Sequence, residues 1–186
     1  MIKSKQDYCK YIDMDRKALG INRNKPKIIG DEIWKFQILL RKCEYYKNCK
    51  KGLHNKIYFY YMKLLFKKAS IKLGFTIPLN VFGPGLSIAH YGTIVVNENA
   101  KIGKNCRIHE GVTIGATNGN PKAAHIGDNV FIGSGAKIIG DIKIGNNIAI
   151  GANSVVVKDF DENNITIAGS PAKKISENGS EKLLLI

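Results

Sequence analysis

Aliphatic residues recur every six positions through the C-terminal half of the chain. The interval holds over three positions, breaks once, and then holds over six more: Ile102, Ile108, Ile114, then Ile126, Ile132, Ile138, Ile144, Ile150 and Val156. An α-helix would repeat near 3.6 and a half-buried flat strand at two. A strict period of six predicts a triangular parallel β-helix, in which each hexapeptide forms one face and three faces make an 18-residue coil. The aliphatic side chains fill the inside of the prism.

Two irregularities interrupt this period. Ile88 and Val96 lie eight residues apart, so two extra residues enter the coil within the stretch AHYGTI. Ile114 and Ile126 lie twelve apart, and the intervening Gly, Asn and Pro residues predict a loop that leaves the prism. Functional residues concentrate on such irregular segments above a rigid scaffold.

Residues 1–75 lack the six-residue period. The pattern predicts one helix over 31–49, with Asp31 as its N-cap, and a second over 55–74, ending at Gly74. Residues 1–25 are polar and are expected to be irregular or weakly helical. We therefore divide the chain into a basic α-helical segment (1–75), a β-helix domain (76–175) and a C-terminal tail (176–186).

The net charge of +14 is concentrated in the helical segment, which holds 19 basic and 6 acidic residues. Such a segment can contact an anionic membrane or phosphorylated ligand, or simply be solvated, and we do not expect nucleic acid as the partner. No apolar run reaches the roughly 18 residues of a membrane span, and the N-terminus lacks the apolar core of a signal peptide. The expected location is cytoplasmic, with peripheral contact at the inner face of the membrane as an alternative.

His90 lies at the corner where the two residues are inserted. Histidine as a residue type suits general-base work near neutral pH. A coil of 20 rather than 18 residues should place Glu110 over His90 and His109 over Ala89, so that Glu110 orients His90 or holds its charge. Stacked polar surface residues remain the alternative for His109 and Glu110. The histidines lack the spacing of a three-histidine zinc site, so no metal is predicted.

Residues from about 74 to 175 resemble the serine O-acetyltransferase branch of the left-handed β-helix (hexapeptide-repeat) acyltransferases. The resemblance is carried by GPGLSIAHYGTIVVNENAKIG, VTIGATNG, VFIGSGAKIIGDIKIGNNIAIGANSVV and IAGSPAKKI. It implies a left-handed coil, a homotrimer, acetyl-CoA as co-substrate and an active site between neighbouring subunits. His90 matches the catalytic histidine of that family.

The same resemblance implies a set of coenzyme-binding residues. Ala116 and Thr117 match the positions beside the thioester, and the small side chains of Ser134 and Ala152 would admit the pantetheine arm. Three lysines are candidates to meet the nucleotide phosphates: Lys158, Lys173 and Lys174.

Three departures from the family concern the acceptor. Ala89 stands where the family has an Asp that receives the substrate's amino group, and Phe75 replaces the Asp that pairs with the catalytic histidine. The loop that grips the substrate carboxylate reads NPKAAH. From these losses we expect an acetyl-CoA-dependent O-acetyltransferase acting on a sugar in bacterial surface polysaccharide synthesis. The alternatives are a serine O-acetyltransferase of cysteine biosynthesis and a non-enzymatic β-helical scaffold.

Overall fold

Three helices open the chain in the computed structural model, which describes residues 1–117 and 119–185. They are α1 (Lys5–Ala18), α2 (Glu32–Cys49) and α3 (Leu53–Leu73). The expectation of an irregular N-terminus is wrong, because the Ser4 hydroxyl caps α1 by accepting the N–H of Asp7 at 3.0 Å. The end of α3 at Gly74 is confirmed, since Gly74 adopts a left-handed conformation with φ of +79°.

Fourteen short strands follow the helices. They are β1 (Phe75–Thr76), β2 (Ser87–Ile88), β3 (Ile94–Val96), β4 (Lys101–Ile102), β5 (Arg107–Ile108), β6 (Thr113–Gly115), β7 (His125–Ile126), β8 (Phe131–Ile132), β9 (Lys137–Ile139), β10 (Lys143–Ile144), β11 (Ala149–Ile150), β12 (Val155–Val156), β13 (Thr166–Gly169) and β14 (Ala172–Ser176). A short 3₁₀ helix, Glu181–Leu183, lies in the C-terminal tail.

The strands form the three faces of a prism. Face A is β1-β3-β6-β9-β12, face B is β4-β7-β10, and face C is β2-β5-β8-β11-β13, to which β14 adds an antiparallel edge strand. Bridges from Phe82 to Ile102 and from Ile144 to Phe160 extend face B at both ends. Each face therefore has five levels, and the predicted left-handed parallel β-helix is confirmed. The aliphatic residues of the six-residue period are buried inside it.

The corner between faces B and C is built from asparagines in the left-handed conformation. At four of the five levels an asparagine stands at this corner, and the amide of each donates to the amide oxygen of the next at 2.8 Å: Asn105, Asn129, Asn147 and Asn164. Asparagine tolerates this backbone conformation, and its side chain can bond along the stack. The repeated Asn therefore keeps each coil turning at the same point.

A buried ion cluster attaches the helices to the first coil. The Arg41 guanidinium, 0% exposed, contacts Asp15 at 2.8 Å and Glu44 at 3.0 Å. Arg41 also donates to the backbone oxygens of Phe82 and Gly83, while Asp15 accepts two N–H bonds from the first coil. Burial by itself would lower the pKa of Arg41, but the two carboxylates outweigh it and raise that pKa above the ordinary value. The cluster fixes the helical segment against the β-helix.

We expect Arg41→Met to destabilise the protein by about 3–5 kcal/mol, because it leaves two buried carboxylates without their cation. Urea unfolding followed by circular dichroism measures this change. Lys47→Met, an exposed position on the same helix, is the matched control and should change the free energy of unfolding by less than about 0.5 kcal/mol. A loss below about 1 kcal/mol for Arg41→Met would show that the cluster does not hold the helices.

Candidate active site

The two inserted residues emerge at the corner between faces C and A. Ile88 pairs with Ile108, an offset of 20, whereas Val95 pairs with Thr113, an offset of 18. Both Ile88 and Val96 stay inside the prism. The extra length is therefore confined to residues 89–93, and it carries His90 to the exposed surface of the corner.

This corner brings together the three residues predicted to be catalytic. The side-chain donor atoms of His90, His109 and Glu110 lie within 4.8 Å of one another. The two imidazole rings have their centroids 5.4 Å apart, and Nδ1 of His109 lies 4.0 Å from Oε2 of Glu110. Gly92 makes room for them, because a Cβ at that position would lie 3.1 Å from Cβ of Glu110. We call these three residues the corner triad.

His109 is held in its neutral form. Its side chain is 17% exposed and packs against Phe131 with 5.0 Å between ring centroids. Burial lowers the pKa of His109 most, and the nearby positive charge of Arg107 lowers it further, against the opposing charge of Glu110.

Glu110 is held in its ionised form. A hydrogen bond from the Ser134 hydroxyl is the largest cause that lowers the pKa of Glu110. Oε2 of Glu110 and Nε2 of His109 are both buried, and neither has a hydrogen-bond partner among the described residues. The triad thus presents one carboxylate and one neutral imidazole with unused hydrogen-bonding capacity next to His90.

Ser134 and Ala152 continue the same corner on the next two coils. The N–H of Asn153 donates to the Ser134 carbonyl at 2.8 Å, which fixes the two levels against each other. A line of small residues therefore runs along the corner away from the triad. This placement agrees with the sequence expectation, although their contact with a coenzyme stays a prediction.

The other predicted coenzyme-binding residues lie apart from the triad within one chain. Ala116 and Thr117 follow β6 at the opposite edge of face A, where the loop leaves the prism. Lys158 lies over the ring of Phe160 at 5.5 Å, and Lys173 is exposed on β14. Lys174 is paired with Glu162 and with Glu177, and hydrogen bonds to these two carboxylates raise its pKa.

Sequence reasoning missed two residues of the site, Phe131 and Arg107. Each directly precedes an inward aliphatic residue, so its side chain points out of face C. The aromatic Phe131 at such an outward position was the signal in the sequence that could have revealed this part of the site.

A groove of about 790 Å³ lies elsewhere, on face B, and Lys101, His125 and Lys143 contribute to its lining. His125 therefore does not approach the triad. The triad itself offers two imidazoles and a carboxylate, which are donor types that bind Zn²⁺. The absence of a metal from the reaction stays a prediction.

Comparison with known proteins gives consistent matches. Residues 123–158 match the family described as bacterial transferase hexapeptide (six repeats). A probable serine acetyltransferase 5 from Oryza sativa subsp. japonica is 43% identical over 106 residues, which are 56% of this chain and 31% of that protein. The chain thus spans about a third of the length of this curated relative.

Two solved structures cover nearly the whole chain. Serine acetyltransferase from Neisseria gonorrhoeae in complex with serine is 30% identical, with a TM-score of 0.66 over 93% of this chain and 71% of that one. Serine acetyltransferase from Brucella abortus strain S19 in complex with coenzyme A is 26% identical, with a TM-score of 0.70 over 94% and 70%. The likeness therefore includes the helical segment as well as the prism.

We expect His109 to titrate below the ordinary histidine value of about 6.5. As the pH falls, the unfolded state therefore binds a proton at His109 before the folded state does. The contribution of His109 to the free energy of unfolding is complete above about pH 6.5 and is lost as the pH falls below about 6.5. NMR titration measures the pKa, with His109→Gln identifying the resonance. Arg107→Gln should raise it by removing a repelling charge. A His109 pKa above about 6.5 in the native chain would contradict this description.

Proposed function

Because the chain belongs to the serine acetyltransferase-like branch of the hexapeptide-repeat transferases, we propose that it transfers the acetyl group of acetyl-CoA to the hydroxyl of L-serine. The observation that carries the proposal is the inserted corner, which places His90 beside His109 and Glu110. The related structures with coenzyme A and with serine support this pair of substrates.

The expectation of a sugar acceptor in polysaccharide synthesis is wrong, because the similar proteins and structures are serine acetyltransferases. The expectation rested on lost charges at Ala89 and Phe75. Phe75 is indeed buried, packed edge-on against Phe36 with 5.1 Å between centroids. We propose that charged residues at other positions of the chain take over the roles of the missing ones.

His90 acts as the general base in this proposal. Its imidazole removes the proton from the serine hydroxyl while the oxygen attacks the thioester carbonyl. The tetrahedral intermediate collapses, the C–S bond breaks, and the imidazolium returns its proton to the leaving thiolate. O-acetylserine and coenzyme A result. Glu110 stabilises the imidazolium, as the paired carboxylate does in other histidine-based sites.

Two charged side chains near His109, those of Glu110 and Arg107, can serve the charges of the amino acid. The Glu110 side chain is 38% exposed, so its carboxylate can receive the ammonium group. Arg107 affects the pKa of His109 and donates to the Ser87 hydroxyl at 2.9 Å. A guanidinium has five N–H donors, so Arg107 can also bind the substrate carboxylate. Both residues come from the coil after the one that contains Ala89.

The coenzyme would lie along the line of small residues at Ser134 and Ala152. Ala116 and Thr117 follow β6 at the opposite edge of face A from the triad, so the loop edge and the triad belong to different corners of the same chain. We therefore propose a homotrimer in which the loop edge of one subunit faces the triad of the next. Lys158, Lys173 and Lys174 would then meet the phosphates of the bound coenzyme.

We expect His90→Ala to lower acetyl transfer to L-serine by about a hundredfold or more, as a lost general base does. Release of the coenzyme A thiol at saturating acetyl-CoA measures turnover. His125→Ala is the matched control, because His125 is exposed on face B outside the triad. An equal loss of turnover in His90→Ala and His125→Ala would show that His90 is not the general base. No thiol release from the wild-type chain with millimolar L-serine would refute the serine acceptor.

We expect Glu110→Gln to lower kcat, because the imidazolium loses its counter-charge, and to raise the KM for L-serine, because the ammonium loses its partner, with little change in the KM for acetyl-CoA. Arg107→Gln should raise the KM for L-serine with little change in kcat, because a substrate carboxylate left without its partner costs about 1–3 kcal/mol. Steady-state kinetics with each substrate varied separates the two effects. A change in the KM for acetyl-CoA alone would contradict both assignments.

A further inference from the structure

One side of α3 is covered by neither the other helices nor the prism. Its apolar residues there are all more than half exposed: Leu53 (71%), Ile57 (60%), Tyr60 (57%), Tyr61 (56%), Leu64 (54%) and Ile71 (70%). Their spacing places them on one side of the helix. The opposite side packs inward through Met62, Ser70 and Leu73. The helix therefore presents an apolar stripe to its surroundings.

The charge on α3 has a single sign. Five lysines and no acidic residue lie between residues 53 and 73: Lys56, Lys63, Lys67, Lys68 and Lys72. Lys67 and Lys68 occupy the gap in the stripe between Leu64 and Ile71, and both are exposed. An exposed apolar stripe accompanied by lysines can contact the acyl chains and the anionic headgroups of a membrane interface at the same time.

A second apolar element lies at the C-terminal end of α3. Ile28 and Ile29, in the loop before α2, are 95% and 89% exposed. Nζ of Lys35 donates to the Ile28 carbonyl oxygen at 2.7 Å and lies 3.3 Å from the Glu32 carboxylate. Nζ of Lys72, near the end of α3, lies 4.0 Å from the same carboxylate. This chain of contacts joins the loop to the end of α3. We call the α3 stripe, its lysines and Ile28–Ile29 together the basic apolar surface.

We propose that the basic apolar surface binds the surface of an anionic lipid bilayer. None of the helices in the described ranges 1–117 and 119–185 has both the length and the hydropathy of a membrane-spanning segment, so the contact is peripheral. Lysines attract anionic headgroups, while the exposed Tyr60 and Tyr61 suit the boundary between headgroups and acyl chains.

A second copy of the chain is the less favourable occupant of this surface. A two-fold contact between two α3 helices would bring two sets of five lysines together, with no acidic residue on either helix. Like charges at such distances repel. An anionic bilayer supplies the opposite charge and also accepts the apolar stripe.

Sedimentation with lipid vesicles tests the proposal on the whole chain of 186 residues. Vesicles of phosphatidylcholine with phosphatidylglycerol should bind the protein at least about tenfold more strongly than phosphatidylcholine alone. Raising the salt from about 0.05 M to about 0.5 M should weaken binding, because it screens the lysines. Absence of binding to the anionic vesicles, or equal binding to both kinds, would overturn the proposal.

Charge reversal locates the binding surface. Lys67→Glu/Lys68→Glu should weaken binding to the anionic vesicles by about tenfold or more. Lys101→Glu/Lys143→Glu changes the net charge equally on face B, also at exposed positions, and should change binding by less than about twofold. Equal weakening in both variants would mean a general charge attraction and would refute this surface.

Whether a second copy of the chain occupies this surface is tested without lipid. Analytical ultracentrifugation should give the same mass for the wild type and for Lys67→Glu/Lys68→Glu. If the variant forms a smaller species than the wild type, the surface joins copies of this chain and the proposal is wrong.

Discussion

The structure depends on the hydrogen bonds that hold each coil in register with the next. Every level of face C continues the same inward row, so Ile88 lies on Ile108 and Ile108 on Ile132. Because a slipped register would turn apolar side chains outward, added residues can leave the prism only at corners. The two residues added beside His90 obey this constraint. The same register that stacks the core thus builds the corner triad.

This constraint also explains what the sequence could predict. The six-residue period reports directly which side chains point inward, so the prism, the inserted corner and the grouping of His90 with His109 and Glu110 followed from counting. The helical segment follows another rule. Its attachment to the prism uses buried Asp15 and Arg41, and an apolar pattern cannot show charged residues that are buried as partners. For that reason α1 was not predicted.

The acceptor was predicted wrongly for a related reason. A comparison made position by position sees that Ala89 lacks a carboxylate, but it does not consider the charged residues of the next coil. Glu110 and Arg107 lie about 20 residues further along the chain, one level away in space. Their proximity to the site depends on the longer coil and on side-chain direction out of face C, which the period alone does not specify.

The central claim is that chemistry takes place at the corner triad. A crystal structure of the chain with coenzyme A bound tests it most directly, through the distance from the coenzyme thiol to the His90 imidazole. We expect the thiol to lie at the corner, within roughly 4 Å of the place that the acceptor hydroxyl would occupy when hydrogen-bonded to His90. A thiol bound instead in the face B groove beside Lys101 and Lys143 would contradict it.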